Sequence, residues 1–84
     1  MDVKHDSEKQ TFFVALGATS AVLEYRLFDG EGGDESGVDF TRTYVPSEFR
    51  GEGHAEALVK YGLNWAKEQG LNIQATCWYV RRFL

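Results

Sequence analysis

Val45-Pro46-Ser47-Glu48-Phe49-Arg50-Gly51-Glu52-Gly53-His54-Ala55 is the stretch on which the fold turns. Val38 to Val45 (VDFTRTYV), just ahead of it, is rich in β-branched and aromatic residues and alternates Val38, Phe40, Arg42 and Tyr44 with Asp39, Thr41, Thr43 and Val45, so it reads as a strand. Pro46, the only proline, ends that strand, and Ser47-Glu48-Phe49 is a short connector. Behind the stretch, small or apolar residues recur at 55, 58, 59, 62, 63 and 66, the spacing of an amphipathic helix from Gly53 to Gln69 with Gly70 as its C′ stop. Two glycines within three residues thus open a helix whose first N–H groups lack intrahelical partners and whose dipole is positive there. Such a place accepts a phosphate or pyrophosphate.

Outward from this centre, Thr11 to Leu16 (TFFVAL) and Ser20 to Phe28 predict a β-hairpin, the second strand setting Ala21, Leu23, Tyr25 and Leu27 on one face. Asp29 to Asp39 holds four glycines and five acids and reads as a solvated loop, because calcium loops need ligands at fixed spacings that it lacks. After the helix, Leu71 to Cys77 (LNIQATC) predicts a short strand, parallel to the one ending at Val45 by the handedness of strand-helix-strand units. Trp78 to Leu84 is expected to add a helical turn or two, and residues 1 to 10, polar and aperiodic, to be a loosely held lead-in. His54, Tyr61 and Trp65 align with Leu58 along one flank of the helix and are read as packing residues.

Composition limits the function. Eighty-four residues, 43% of them hydrophobic, fit one domain with one core, and six Phe, four Tyr and two Trp supply the large side chains a small core needs. A net charge of −4 opposes nucleic-acid binding, which rests on neutralising phosphates. With no apolar leader and no run of 18 apolar residues, neither secretion nor a membrane span is signalled, and the expectation is an intracellular, soluble protein, monomeric or weakly dimeric. One cysteine, Cys77, excludes an internal disulfide framework. No metal site is expected.

The loop excludes two nucleotide devices. A P-loop would end in Gly-Lys-Ser/Thr where this chain has Gly53-His54-Ala55, and a dinucleotide fingerprint would need glycine at 56, which is Glu, within a doubly wound sheet. What remains is R-x-x-G-x-A, carried by Arg50, Gly53 and Ala55. This pattern resembles the pyrophosphate-binding motif of the GNAT superfamily of acyl-CoA-dependent N-acetyltransferases. With V-P-S-E-F-R-G-E-G-H-A-E-A-L-V before T-C-W-Y-V, most of the chain is similar to the small GNAT-like family that includes N-acetyltransferase domain-containing protein 1 and bacterial proteins of the YjdJ type. The resemblance implies an α/β fold in which three antiparallel strands are joined by one parallel strand, with a central CoA-binding helix and a short C-terminal helix. It also implies that the backbone of residues 51 to 55, within the set Arg50, Gly51, Glu52, Gly53, His54 and Ala55, holds the pyrophosphate of acetyl-CoA. The strands ending near Val45 and Cys77 would then splay around the pantetheine arm. The chain departs from the family pattern at Glu52, often basic or neutral in relatives, and at His54, usually a branched aliphatic; it also stops at Leu84, where relatives continue.

Acetyl transfer needs a group to stabilise the oxyanion, a base for the amine and an acid for the departing thiolate. Cys77 has two readings: a nucleophile that takes the acetyl group and passes it on, or a buried structural thiol. Tyr79 is the candidate acid, Glu48 a candidate base against the default of a solvated carboxylate, and Arg81 and Arg82 either contact a CoA phosphate or solvate the terminus. The expected activity is acetyl transfer to a primary amine of unknown identity, a cationic acceptor suiting the acidic balance. The alternative is a non-catalytic module that binds CoA or a protein partner.

Overall fold

The computed structural model describes residues 2–29 and 36–84, so most of the acidic loop expected between Asp29 and Asp39 lies outside the described residues. Five strands form one sheet in the order of the chain: β1 (Lys4–Asp6), β2 (Thr11–Leu16), β3 (Thr19–Phe28), β4 (Gly37–Tyr44) and β5 (Asn72–Ala75). The first four pair antiparallel, and β5 joins β4 in parallel after the crossover through helix α1 (His54–Glu68), as the handedness argument requires. Ser47–Phe49 forms a 3-10 turn, and Trp78–Arg81 a short helix α2. The GNAT-like mixed sheet is therefore present, with one antiparallel strand more than the three that the resemblance implies.

That extra strand is β1, in the lead-in expected to be loosely held. Three residues have too little intrinsic preference to declare themselves, and a single side chain makes the difference. His5 pairs in register with Phe12, stacks on its ring at 4.1 Å, and places Nε2 2.5 Å from the Tyr25 hydroxyl. Polarity along the chain does not report this, because the contacts come from residues 7 and 20 positions away.

Helix α1 covers one face of the sheet. Leu58, Val59, Leu63 and Ala66 meet Phe12, Val14, Ala21, Leu23, Tyr25, Val38 and Phe40, all buried, and Val80 of α2 closes the end of this core. The closest approach is at Gly62, where a Cβ would lie 2.8 Å from Leu23 Cδ2 and 3.1 Å from Phe40 Cε1. Glycine is used there for contact; at Gly70, with φ +69°, it is used for the left-handed stop that the sequence predicts.

The alternation expected along β4 breaks in the middle. Phe40 faces Tyr25 and Arg42 faces Glu24, so Thr41 is an extra residue, a β-bulge. Beyond it the faces exchange: Thr43 opposes the buried Leu23, while Arg42 and Tyr44 turn to the face without a helix, where Arg42 pairs with Glu24 at 2.7 Å. A period-2 reading has no means of seeing one inserted residue, and so it put Arg42 and Tyr44 on the face of Phe40.

Candidate functional site

The start of α1 leaves its first N–H groups without side-chain partners. Its N-cap is Gly53, at φ +87°, with no side chain to accept from the first N–H groups, and the first helical bond runs from Ala57 N–H to Gly53 O at 3.0 Å. Gly51 is also left-handed, at φ +83°, a conformation costly for any other residue. A Cβ placed on either glycine would meet nothing within 4 Å, so both project only open space and leave the backbone approachable. Arg50 fixes the loop to the strand end, its Nε–H donating to Val45 O at 3.0 Å.

A cavity of about 270 Å³ lies at this helix start, lined by Phe49, Arg50, Gly51, Gly53, His54 and Tyr79 among others. His54 is 8% exposed, and neither ring nitrogen has a hydrogen-bond partner. Its neighbours are the edge of the Phe49 ring, with centroids 6.2 Å apart, and the Glu52 carboxylate, 3.7 Å from Nε2 and too distant to bond. The expectation of a packed histidine holds for its burial. Glu52 itself is largely exposed and leans toward His54, and it is not among the residues lining the cavity. Its charge therefore does not stand inside the cradle.

Next to this cavity β4 and β5 part. Their pairing runs from Gly37 with Asn72 to Phe40 with Ala75, and one more bond, from Cys77 N–H to Phe40 O at 3.0 Å, closes it. Past that point the chains diverge around a cleft of about 380 Å³, lined by Thr43, Tyr44, Cys77 and Trp78, with Val45, Arg50, Ala55 and Tyr79 shared with the first cavity. The bulge and Pro46 on one side, and α2 on the other, are the reasons the ladder does not continue. A wider depression of about 550 Å³ lies elsewhere, around Glu8, Lys9, Glu24 and Arg26; apart from Tyr25 its lining is polar and charged, and none of the predicted site residues reaches it.

Cys77 sits at the cleft as the residue before α2. Burial pushes its thiol pKa up, but hydrogen bonding with the Thr43 hydroxyl, at 3.5 Å from Sγ, and with backbone groups of Val80, Tyr79 and Thr43 outweighs burial and holds it below the usual thiol value. Tyr79 packs on Phe83 at 5.4 Å and under the Arg82 guanidinium at 5.9 Å, and reaches both cavities.

The structure thus brings Arg50, Gly51, Gly53, His54, Ala55, Cys77 and Tyr79 to one continuous cleft. Glu48 is exposed and lines neither cavity. Arg81 is held inward, its Nε–H donating to Ala75 O at 2.6 Å, and Arg82 stacks on Trp78 and Tyr79. Two residues that the sequence did not single out also belong: Phe49, which walls His54, and Thr43. The aromatic after Pro46 was a signal for the first; for Thr43 there was none, since its placement depends on the bulge.

A family model described as GCN5-related N-acetyl-transferase matches residues 11–84, from the start of β2 to Leu84 beyond α2. The chain belongs to that family. Protein NATD1 of Bos taurus is 36% identical over 84 residues, covering 98% of this chain and 70% of that protein. Protein NATD1 of Xenopus tropicalis and of Homo sapiens are each 34% identical over 84 residues, covering 98% of this chain and 72% and 70% of theirs. The acetyltransferase family and its small NATD1 branch, read first from the R-x-x-G-x-A loop and the T-C-W-Y-V stretch, are therefore shown for the chain as a whole. The N-acetyltransferase fold is the mixed sheet described above. Among the described residues no helix is long and apolar enough to cross a membrane.

Proposed function

We propose that this chain binds acetyl-CoA and transfers its acetyl group to a primary amine. One observation carries the reading: an uncapped helix start with two left-handed glycines opens directly into the cleft where two parallel strands part, beside a thiol of lowered pKa. The residues fit the cofactor. The pyrophosphate would lie against the N–H groups of residues 51 to 55, next to Arg50, in the open space a Cβ on Gly51 or Gly53 would enter. The cleft between Val45 and Cys77 would take the pantetheine arm. Acetyl-CoA supplies an acyl thioester, already activated toward a nucleophile.

The part of the cleft around Cys77 is lined by no carboxylate and no imidazole, the Glu56 carboxylate and the His54 ring lying in the adjoining cavity at the helix start, which favours a route through Cys77 over direct attack assisted by a base. Cys77 thiolate would attack the acetyl carbonyl, forming an S–acyl bond as the bond to the CoA sulfur breaks, and the Tyr79 hydroxyl would give its proton to the departing thiolate. The acceptor amine would then attack acetyl-Cys77. Cys77 leaves as thiolate again, and the amine's proton returns to the Tyr79 phenolate. The same lack of a base supports a second reading, a module that binds CoA without turnover.

The readings separate in order. Titration with acetyl-CoA, followed by NMR, is expected to shift residues 50 to 56 and 77 to 79, and no shift at millimolar ligand removes the CoA reading. Mass spectrometry after incubation with acetyl-CoA is expected to show one acetyl group on Cys77; no adduct, together with unchanged transfer by Cys77→Ala, removes the covalent route. CoA release no faster with an amine panel than without one leaves the binding module.

A further inference from the structure

Thr43 belongs to no motif, and what it does follows from the backbone. In an unbroken strand it would share a face with Asp39 and Thr41, turned away from α1. The bulge at Thr41 reverses that parity, so Thr43 stands opposite Leu23 on the helix-covered side, at the point where β4 and β5 begin to part. Its hydroxyl oxygen is 3.5 Å from Cys77 Sγ. On the other side of this contact the main chain of Cys77 is held twice: its N–H donates to Phe40 O at 3.0 Å, and its carbonyl accepts from Arg81 N–H at 3.2 Å. With the backbone held at both groups, only the side-chain torsion remains to place the sulfur, and Thr43 is the side chain hydrogen-bonded to it.

We propose that Thr43 is a positioning residue: its hydroxyl donates a hydrogen bond to Sγ, holding the sulfur at the cleft and favouring its thiolate form, and the bulge at Thr41 is the backbone device that delivers it. This rests on the reading of Cys77 as the acyl-accepting thiol. A thiolate accepts this bond fully, whereas a thiol competes with the hydroxyl for the role of donor, so the contact favours loss of the proton from sulfur to solvent. The other titratable side chains lining this part of the cleft are Tyr44 from β4, Arg50 from the loop before α1 and Tyr79 from α2. The adjoining cavity adds His54 and Glu56 from α1, and the Glu56 carboxylate is paired with Lys60 Nζ at 2.7 Å. The hydroxyl is also the largest of the contributions that offset the burial of the thiol.

Alkylation of CoA-free protein by iodoacetamide tests this, because Sγ forms the new S–C bond as iodide leaves and only the thiolate reacts. Rates are measured from pH 6 to 10 for the wild type, for Thr43→Val, which removes the hydroxyl at nearly constant volume, and for Thr43→Ser, which keeps it. The midpoint for Thr43→Val is expected to rise by about one unit, with the rate at pH 7 falling about 3-fold, since a more basic sulfur partly offsets the loss of thiolate. Thr43→Ser is expected to follow the wild type. Circular dichroism establishes folding, and Thr43→Ala replaces the valine variant if that one unfolds. A folded hydroxyl-free variant with the wild-type profile overturns the proposal. So does a wild-type midpoint at or above the ordinary thiol value of about 8.5, whatever the variants do. CoA is absent throughout, so failure here leaves the CoA titration standing, and failure of that titration leaves this thiol profile intact.

Discussion

Helix α1 ends its two halves on two different histidines, and they are treated in opposite ways. Under its C-terminal half, His5 is stacked on Phe12, edge-on to Trp65 at 5.0 Å and bonded to the Tyr25 hydroxyl. At its N-terminus, His54 is buried with both ring nitrogens unpartnered, between a phenylalanine edge and a carboxylate out of bonding range. One end is a completed aromatic cluster in which every polar atom named has a partner. The other holds an unsatisfied ring, two left-handed glycines and an open cleft, features that cost stability and that collect where a ligand is to be held. Among the described residues, the packing is concentrated at one end of α1 and the unfinished bonding at the other.

Substitutions at the two ends should therefore differ in size and in sign. The largest effect is expected at the packed end: Phe12→Ala removes a fully buried ring that touches His5, Tyr25, Tyr61 and Trp65, and should cost about 3–5 kcal/mol in urea unfolding. A loss below about 1 kcal/mol would mean that this cluster is not the stable end. At the open end, Gly53→Ala should cost about 1–2 kcal/mol by forcing a left-handed residue with a Cβ. Its methyl group would also enter the space assigned to the pyrophosphate, so CoA affinity should fall with it, and a variant that loses stability while keeping affinity would separate strain from binding.

His54→Leu is expected to act in the opposite direction. Removing two buried, unpartnered nitrogens should stabilise the CoA-free protein by about 1 kcal/mol, read as a rise in melting temperature, because the penalty of leaving them unbonded disappears. A fall would show that the imidazole finds a partner in solution. The smallest effect is the pH dependence of the packed end. Burial lowers the pKa of His5, the charge of Asp6 opposing it in part, so the folded protein favours the neutral ring that can accept from Tyr25. Its contribution is complete above the unfolded value of about 6.5 and is lost as pH falls through the lowered folded value. Comparing wild type with His5→Phe between pH 7.5 and 5 should show that the phenylalanine variant gains relative stability on acidification, by less than about 1 kcal/mol. A constant difference across that range would show that His5 does not titrate with folding.

Much of this was legible before any coordinates. The 3.6-residue spacing placed α1 within a residue of its observed bounds, Gly53 and Gly70 marked its two ends, and the crossover rule made β5 parallel to β4. The loop pattern led to the right family, because glycine positions at a helix start are local chemistry written in consecutive residues. Cys77 and Tyr79 were legible as candidates for the same reason: they follow directly on a strand the pattern could find.

What stayed hidden has one physical cause, which is that it depends on a partner far along the chain. Lys4–Asp6 pairs with β2 and is anchored there by His5 meeting Phe12 and Tyr25, and polar composition gives no hint of an edge strand held by a stacked ring. Thr43 reaches Cys77 only because Thr41 has no opposite number on β3, a property of the pairing of two strands and of neither alone. The sequence by itself determined the helix, its glycine start, the β2–β3 hairpin, the parallel placement of the last strand and the family, all through short-range periodicity and backbone preference. Tertiary structure alone decided which side chains face the cleft, since one inserted residue reverses a strand's faces, and it alone left His54 buried without a partner.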